Sequence, residues 1–443
     1  MNRGSVYGWR KSRGPSFLGH LLLLLLVAAL FLLPGYQPGG AKGILGQEAS
    51  SHRFSLVSWE IQNLPSKLFK SLLGLESIPP AEEREAVLDR FFELGVELSR
   101  VEWELAQEVA LHGAQSAEVE RLENQVEIVR DDYEHLAPKV EAIIEHEIEH
   151  ELRDAGLGFR FIKWTFVFPP VLFVFEQPPK MLIVSPRNHV ERLDDMLLSK
   201  DMTIEEIEAL EASILEKHNL SAIVEGLSGY STYPAMVQEK LSFYSSISVA
   251  AHEWTHAYLF FYPLGRAYNK GGVLREINEM VADMIGYEIA DSISLAYGHE
   301  PPPRQPPPAE DEIAFDFAAE MRETRVTLDR LLAEGKIEEA ELYLEERRQV
   351  FVAEGYYIRK LNQAFFAFHG TYALSPASVS PVAEQLEELH SYIPTLGEFL
   401  AAVRKISTHD KLLALLAEKR AEQSPLEGGL WPNPAIEVAT LIG

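Results

Sequence analysis

The sequence predicts an α+β chain, predominantly α-helical, and three observations carry that reading. Residues 80 to 153 repeat apolar positions at steps of three and four, residues 159 to 184 break into short Phe, Val and Ile runs, and helical periodicity returns after residue 301. The chain divides accordingly into a leader and linker at 1–46, a helical hairpin at 47–156, a mixed segment with a small sheet at 157–300, and a C-terminal helical segment at 301–443.

Composition narrows the function classes. The 443 residues include 40 basic and 67 acidic side chains, a net charge of −27 that argues against nucleic acid as a partner. There are no cysteines, which removes disulfides, thiolate ligands and a cysteine nucleophile together. Any metal must be held by histidines and carboxylates.

At the N-terminus Arg3, Arg10, Lys11 and Arg13 precede Leu21 to Leu33, an uncharged run of 13 residues followed by Pro34-Gly35 and a Gly-rich stretch to Gly43. This is the pattern of an export signal. Gly39 and Ala41 have the spacing of a cleavage site, whereas the leucine density and the lack of small residues nearer the run favour a retained anchor. The expectation is a cell-membrane protein with one N-terminal span and its remainder outside the cytoplasm, the alternative being secretion.

The hairpin follows. Leu88, Phe91, Leu98, Val101, Leu105 and Val109 mark one arm, and Val119, Leu122, Val126, Val129, Tyr133, Leu136, Val140 and Ile143 the other, with His112 to Ser116 as the turn. Pro138 is expected to kink or restart the second arm. That arm ends in His146-Glu147-Ile148-Glu149-His150, an HExxH string. Glu145, Glu149 and Glu151 around it predict a solvated acidic helix end, not a shielded metal helix.

Short strands are expected at Phe166–Phe168, Leu172–Phe175 and Met181–Val184, confined to edges by Pro169-Pro170 and Pro178-Pro179. A helical stretch from about Asn188 through Leu215 follows. Residues 222 to 237, with Gly226, Gly229 and Pro234, suit either a plain hairpin or a sheet edge onto which an extended peptide adds as a strand.

A second HExxH, His252-Glu253-Trp254-Thr255-His256, lies in an uncharged helix that begins near Ser245 and ends by Pro263 and Gly265. Four residues apart, His252 and His256 share a face and can share a metal ion, while Glu253 can take a proton from a metal-activated water. Catalysis needs a third protein ligand, and a helix starting near Leu274 offers Glu276, Glu279 and Asp283. Glu279 and Asp283 share a face, so one can bind while the other buttresses a histidine.

Residues 245 to 290 resemble the gluzincin, or thermolysin-like, group of zinc metallopeptidases, in which HExxH is followed by a helix bearing Asn-Glu and an Asp four residues on, here Asn278-Glu279 and Asp283. The resemblance implies a zincin-like catalytic domain at 157–300. It also implies one Zn2+ held by His252, His256 and Glu279, Glu253 as general base, and Asp283 orienting His252. The spacing from His256 to Glu279 is a few residues longer than is usual in that group, which leaves Glu276 as the alternative third ligand. A C-terminal helical domain that closes the cleft is implied as well.

The oxyanion of a peptide-bond intermediate needs a further donor, for which His369 and Tyr372 are the sequence candidates beside a helix-end packing role. PPPRQPPP at 301–308 reads as a stiff linker, with helices expected near 311–334, 337–368, 381–390 and 396–422. The expected function is therefore an exported, membrane-anchored zinc peptidase acting on peptide or protein substrates. No motif for gripping an amino terminus is visible, which favours endopeptidase over aminopeptidase action. A non-catalytic zinc-binding envelope scaffold is the alternative, and retention of Glu253 speaks against it.

Overall fold

The computed structural model describes residues 45–73, 78–161, 164–303 and 315–422. Over these it is a predominantly helical α+β structure with small sheets. The apolar run Leu21–Leu33 and most of the proline-rich linker lie outside them. Among the described residues no helix is long and apolar enough to cross a membrane.

Short helix α1 (Leu45–Glu48) and helix α2 (Leu56–Leu73) lead into the hairpin of α3 (Ala81–His112) and α4 (Ala117–Asp154). The expected apolar seam forms: Leu88, Phe91, Leu98 and Val101 are buried, as are Val119, Leu122, Val129, Tyr133 and Val140. Phe91 and Tyr133 stack with ring centres 4.3 Å apart. Gly113, at φ +80°, ends the first arm, and the Ser116 hydroxyl caps the second by accepting from the Val119 N–H. Pro138 does not restart α4, which runs unbroken through it. With Tyr133 and Val140 packed on either side, the seam outweighs one lost backbone donor.

The end of α4 departs from the solvated surface that its acidic composition predicts. Glu141 and Glu145 are buried, one helical turn apart, and accept the backbone N–H groups of Phe175 and Phe173, each at 2.9 Å. Both carboxylates also hold the buried Lys67 ammonium of α2, at 2.6 and 3.1 Å. These acids fasten the hairpin to the sheet and to α2. The one ammonium offsets part of their charge and the two strand N–H groups occupy further lone pairs, which is what allows them to be buried.

Strands β1 (Phe159–Phe161) and β2 (Trp164–Phe166) form a small antiparallel pair. Strand β3 (Phe173–Phe175) lies parallel to β8 (Ala235–Val237), which pairs antiparallel with the edge strand β7 (Gly229–Tyr230). A third sheet has the order β5-β4-β6, built from Asp194–Leu198, Lys180–Pro186 and Leu220–Glu225, all antiparallel. Alternation along β4 divides two cores. Met181 and Ile183 face the helices after residue 315, whereas Leu182 and Val184 face α5 (Ile204–His218).

Strand β5 replaces the first half of the helix expected between Asn188 and Leu215. Its pairing with β4 supplies hydrogen bonds that no local pattern announces, and the helix begins only at the capping box of Thr203 and Glu206. Beyond the two helices that carry His252 and Glu279, α9 (Phe317–Ala333) and α10 (Ile337–Ala353) form a pair. The single helix expected at 337–368 is broken at Gly355, φ +92°, and resumes as α11 (Gln363–His369). After α12 (Val382–Tyr392), the stretch expected at 396–422 is likewise two helices, α13 (Leu396–Val403) and α14 (His409–Glu422). One buried cluster runs from Leu88 in the hairpin to Leu416 in α14 through the helices that carry His252 and Glu279.

Replacing Lys67 with Met is expected to destabilise the fold by about 3–5 kcal/mol, because two buried carboxylates lose their counter-ion. Adding Glu141→Gln and Glu145→Gln to it should recover most of that loss. Urea unfolding measures both; a single-variant cost below about 1 kcal/mol would show the triad to be structurally idle.

Candidate metal centre

Two helices build the site. The first, α6 (Phe243–Leu259), is capped by the Ser242 hydroxyl and is followed by a short helical turn, α7 (Pro263–Arg266). The second is α8 (Val273–Ala296). Inside the motif Trp254 and Thr255 are buried, with the Trp254 indole donating to the Pro169 carbonyl at 2.8 Å. Gly286 sets the approach of the helices. A Cβ there would stand 2.7 Å from the Ser248 carbonyl oxygen and 3.4 Å from the His252 backbone nitrogen, so only glycine lets α8 lie this close to the first ligand.

His252, His256 and Glu279 converge, each offering one ligand atom within 4.8 Å of the others. The two Nε2 atoms are 2.9 Å apart, and Glu279 Oε2 lies 3.5 Å from His252 Nε2 and 3.3 Å from His256 Nε2. Behind the rings, His252 Nδ1 meets Asp283 Oδ1 at 2.9 Å and His256 Nδ1 meets Asn278 Oδ1 at 2.7 Å. An Nδ1 hydrogen on each ring satisfies both oxygens and leaves both Nε2 lone pairs pointing inward. Two lone pairs and a carboxylate then face one another with no donor between them. Only a cation or a shared proton relieves that arrangement, and the donor set suits a divalent metal.

The charges fit the same picture. Burial opposes a cation at His252, but Asp283 and Glu279 outweigh it and hold its pKa well above the ordinary imidazole value. Burial likewise opposes the Glu279 carboxylate, yet His256 and His252 hold its pKa well below the usual range. Glu253 moves the other way, with burial pushing its carboxyl upward against the pull of the two histidines. It sits against the edge strand β7. A Cβ on Gly229 would fall 2.5 Å from Glu253 Oε1, so glycine there gives the carboxylate its room. The Ser231 hydroxyl, just after that strand, donates to the Glu253 carbonyl at 3.1 Å.

Of the sequence candidates, Glu276 lies outside the convergent group and is partly exposed. His369 packs its ring on Phe365, 4.2 Å between centres, with Nε2 3.9 Å from Glu225. Tyr372 is placed differently. Burial raises its pKa well above the ordinary tyrosine value, and the negative charges of Glu279, Asp283 and Glu253 add to the rise. In the upstream HExxH, Glu147 is tied to Arg84 at 2.6 Å and to the Tyr297 hydroxyl at 3.1 Å, and exposed His150 faces Asp154 at 3.6 Å. Among the described residues no third ligand joins His146 and His150.

Sequence reasoning missed two contributors and one contact. Tyr268, in the loop between the helices, donates to Glu279 Oε1 at 2.5 Å and so fixes the carboxylate's other oxygen. Arg192 is held by Asp195 at 2.9 Å and by Met181 Sδ at 2.9 Å. Its charge acts on both Tyr268 and Tyr372. Asn278 was visible in the pattern, but its bond to His256 was not.

Comparison with family models, with curated proteins and with solved structures finds no match for this chain.

Asp283→Ala and Asn278→Ala are each expected to weaken metal binding about 10- to 100-fold, as loss of a ligand's buttress does. Because the metal must displace a proton that His252 holds above the imidazole range, affinity should keep rising as pH increases through neutrality, with proton release on uptake. Metal titration calorimetry in buffers of different ionisation enthalpy reads both; affinity independent of pH would contradict the ligand assignment.

Proposed function

We propose that this chain is a zinc-dependent peptidase of the gluzincin type, with His252, His256 and Glu279 as the zinc ligands and Glu253 as the general base. The observation that supports the reading best is the inward convergence of two imidazole lone pairs and one carboxylate, each oriented from behind by Asp283, Asn278 or Tyr268. Two histidines and one carboxylate are a catalytic zinc donor set that leaves a position open. Zinc bound there would polarise a peptide carbonyl and lower the pKa of a water toward about 7.

The chain's own residues divide the remaining work. Glu253, whose carboxyl burial pushes upward, takes a proton from the attacking water and returns it to the leaving amine. Tyr372, kept protonated by burial, is the candidate hydroxyl donor to a developing oxyanion, because the Tyr268 hydrogen is already committed to Glu279. Edge strand β7 lies against Glu253 and offers backbone groups to an extended substrate. The N-terminal apolar run completes the proposal as a membrane anchor that holds the catalytic part outside the cytoplasm.

Glu253→Gln should retain zinc while peptide hydrolysis falls about 10²- to 10⁴-fold. Metal content and turnover of a mixed peptide library, for wild type and variant, test this. Unchanged turnover in the zinc-loaded variant would refute the assigned base, and absence of hydrolysis in both forms would favour the scaffold alternative.

A further inference from the structure

Arg275 stands out because the chain leaves it unpaired. It lies in the first turn of α8, one helical turn before Glu279 and therefore on the same face. Its guanidinium sits 5.1 Å from the centre of the Tyr268 ring, whose hydroxyl binds Glu279. Its Nε is buried and has no acceptor. Among the described residues no carboxylate lies within ion-pair distance of it, although acids outnumber bases 67 to 40 in the chain. Arg192, by contrast, is already engaged by Asp195 and Met181.

Arg275 is only partly buried, and although its Nε is closed off, its terminal nitrogens have no protein acceptor among the described residues and are open to a ligand. The planar fork of arginine matches a carboxylate in two hydrogen bonds. Its distance from the reacting centre is bounded by the Tyr268 ring and its two contacts, which place the guanidinium within about 10 Å of Glu279, the reach of about three extended residues.

We infer that Arg275 binds a substrate carboxylate within three residues of the scissile bond, and that the preferred substrates are oligopeptides ending in a free C-terminal carboxylate. This rests on the peptidase reading and specifies its substrate class. An aspartate or glutamate side chain at the same distance presents the same chemistry.

The test uses the full-length zinc-loaded protein and matched peptides in three forms: free acid, C-terminal amide, and amide carrying Asp or Glu near the cleavage point. Hydrolysis is read for wild type, Arg275→Ala and Arg275→Lys. Calorimetric binding of the same peptides is read on Glu253→Gln with and without Arg275→Ala, and melting temperature and zinc content verify that each variant is folded and loaded. The acid is expected to outperform the neutral amide roughly 10- to 100-fold, as a charge-assisted pair implies. That ratio should collapse in Arg275→Ala and survive in part in Arg275→Lys. Preference for the acidic amide over the free acid would support the Arg275 site and move the carboxylate to a side chain. Equal treatment of acid and neutral amide, or a preference that persists in Arg275→Ala, overturns the inference and leaves the peptidase reading intact. If wild type hydrolyses nothing, the peptidase reading falls, and the binding arm still decides whether Arg275 selects carboxylates.

Discussion

The close packing of α6 against α8 is the constraint on which the rest depends. Two of the candidate ligands come from one helix and the third from the other, so they converge only if the helix faces lie close together. Gly286 permits that distance by presenting no side chain to the Ser248 carbonyl and the His252 backbone. Once the helices are in place, Asn278, Glu279 and Asp283 reach both rings and the space between them. The loop between the helices completes the arrangement, because Tyr268 reaches the remaining Glu279 oxygen.

Around this pair the fold supplies rigidity from both sides. The hairpin does so through buried acids: Glu141 and Glu145 bind the backbone of β3, which pairs with β8, and β8 carries the edge strand β7 beside Glu253. The C-terminal helices act from the other side, where Arg404 donates to the Tyr262 hydroxyl at 3.1 Å and its carbonyl accepts from the Leu264 N–H at 3.2 Å, just past the ligand helix. A buried polar cluster is tolerable in such a frame because each group has a partner behind it.

Charge also distinguishes the two HExxH strings in a way that composition alone misstates. The acidic end of α4 is not simply solvated: burial pushes the Glu149 carboxyl upward and the His146 imidazole downward. Its buried acids are spent on an ion triad and on strand N–H groups and Glu147 on Arg84, and among the described residues no carboxylate converges with both His146 and His150. The motif at His252 differs because its neighbours are apolar and its acids arrive from a second helix.

Much of this was written locally. Spacing of three and four gave the hairpin seam, four-residue spacing put His252 beside His256 and Glu279 beside Asp283, and the absence of charge around the second HExxH marked it as a buried helix. These are properties of a single helix, so periodicity carries them. What required tertiary structure was every convergence between elements: Glu279 rather than Glu276 facing the rings, β5 in place of a helix because β4 pairs with it, Tyr268 on Glu279, and Gly229 beside Glu253. The unpaired state of Arg275 belongs to the same class, since a missing partner is a fact about space and not about sequence. Side chains far apart in the chain meet only after the core has packed, and a linear pattern holds no distance between them.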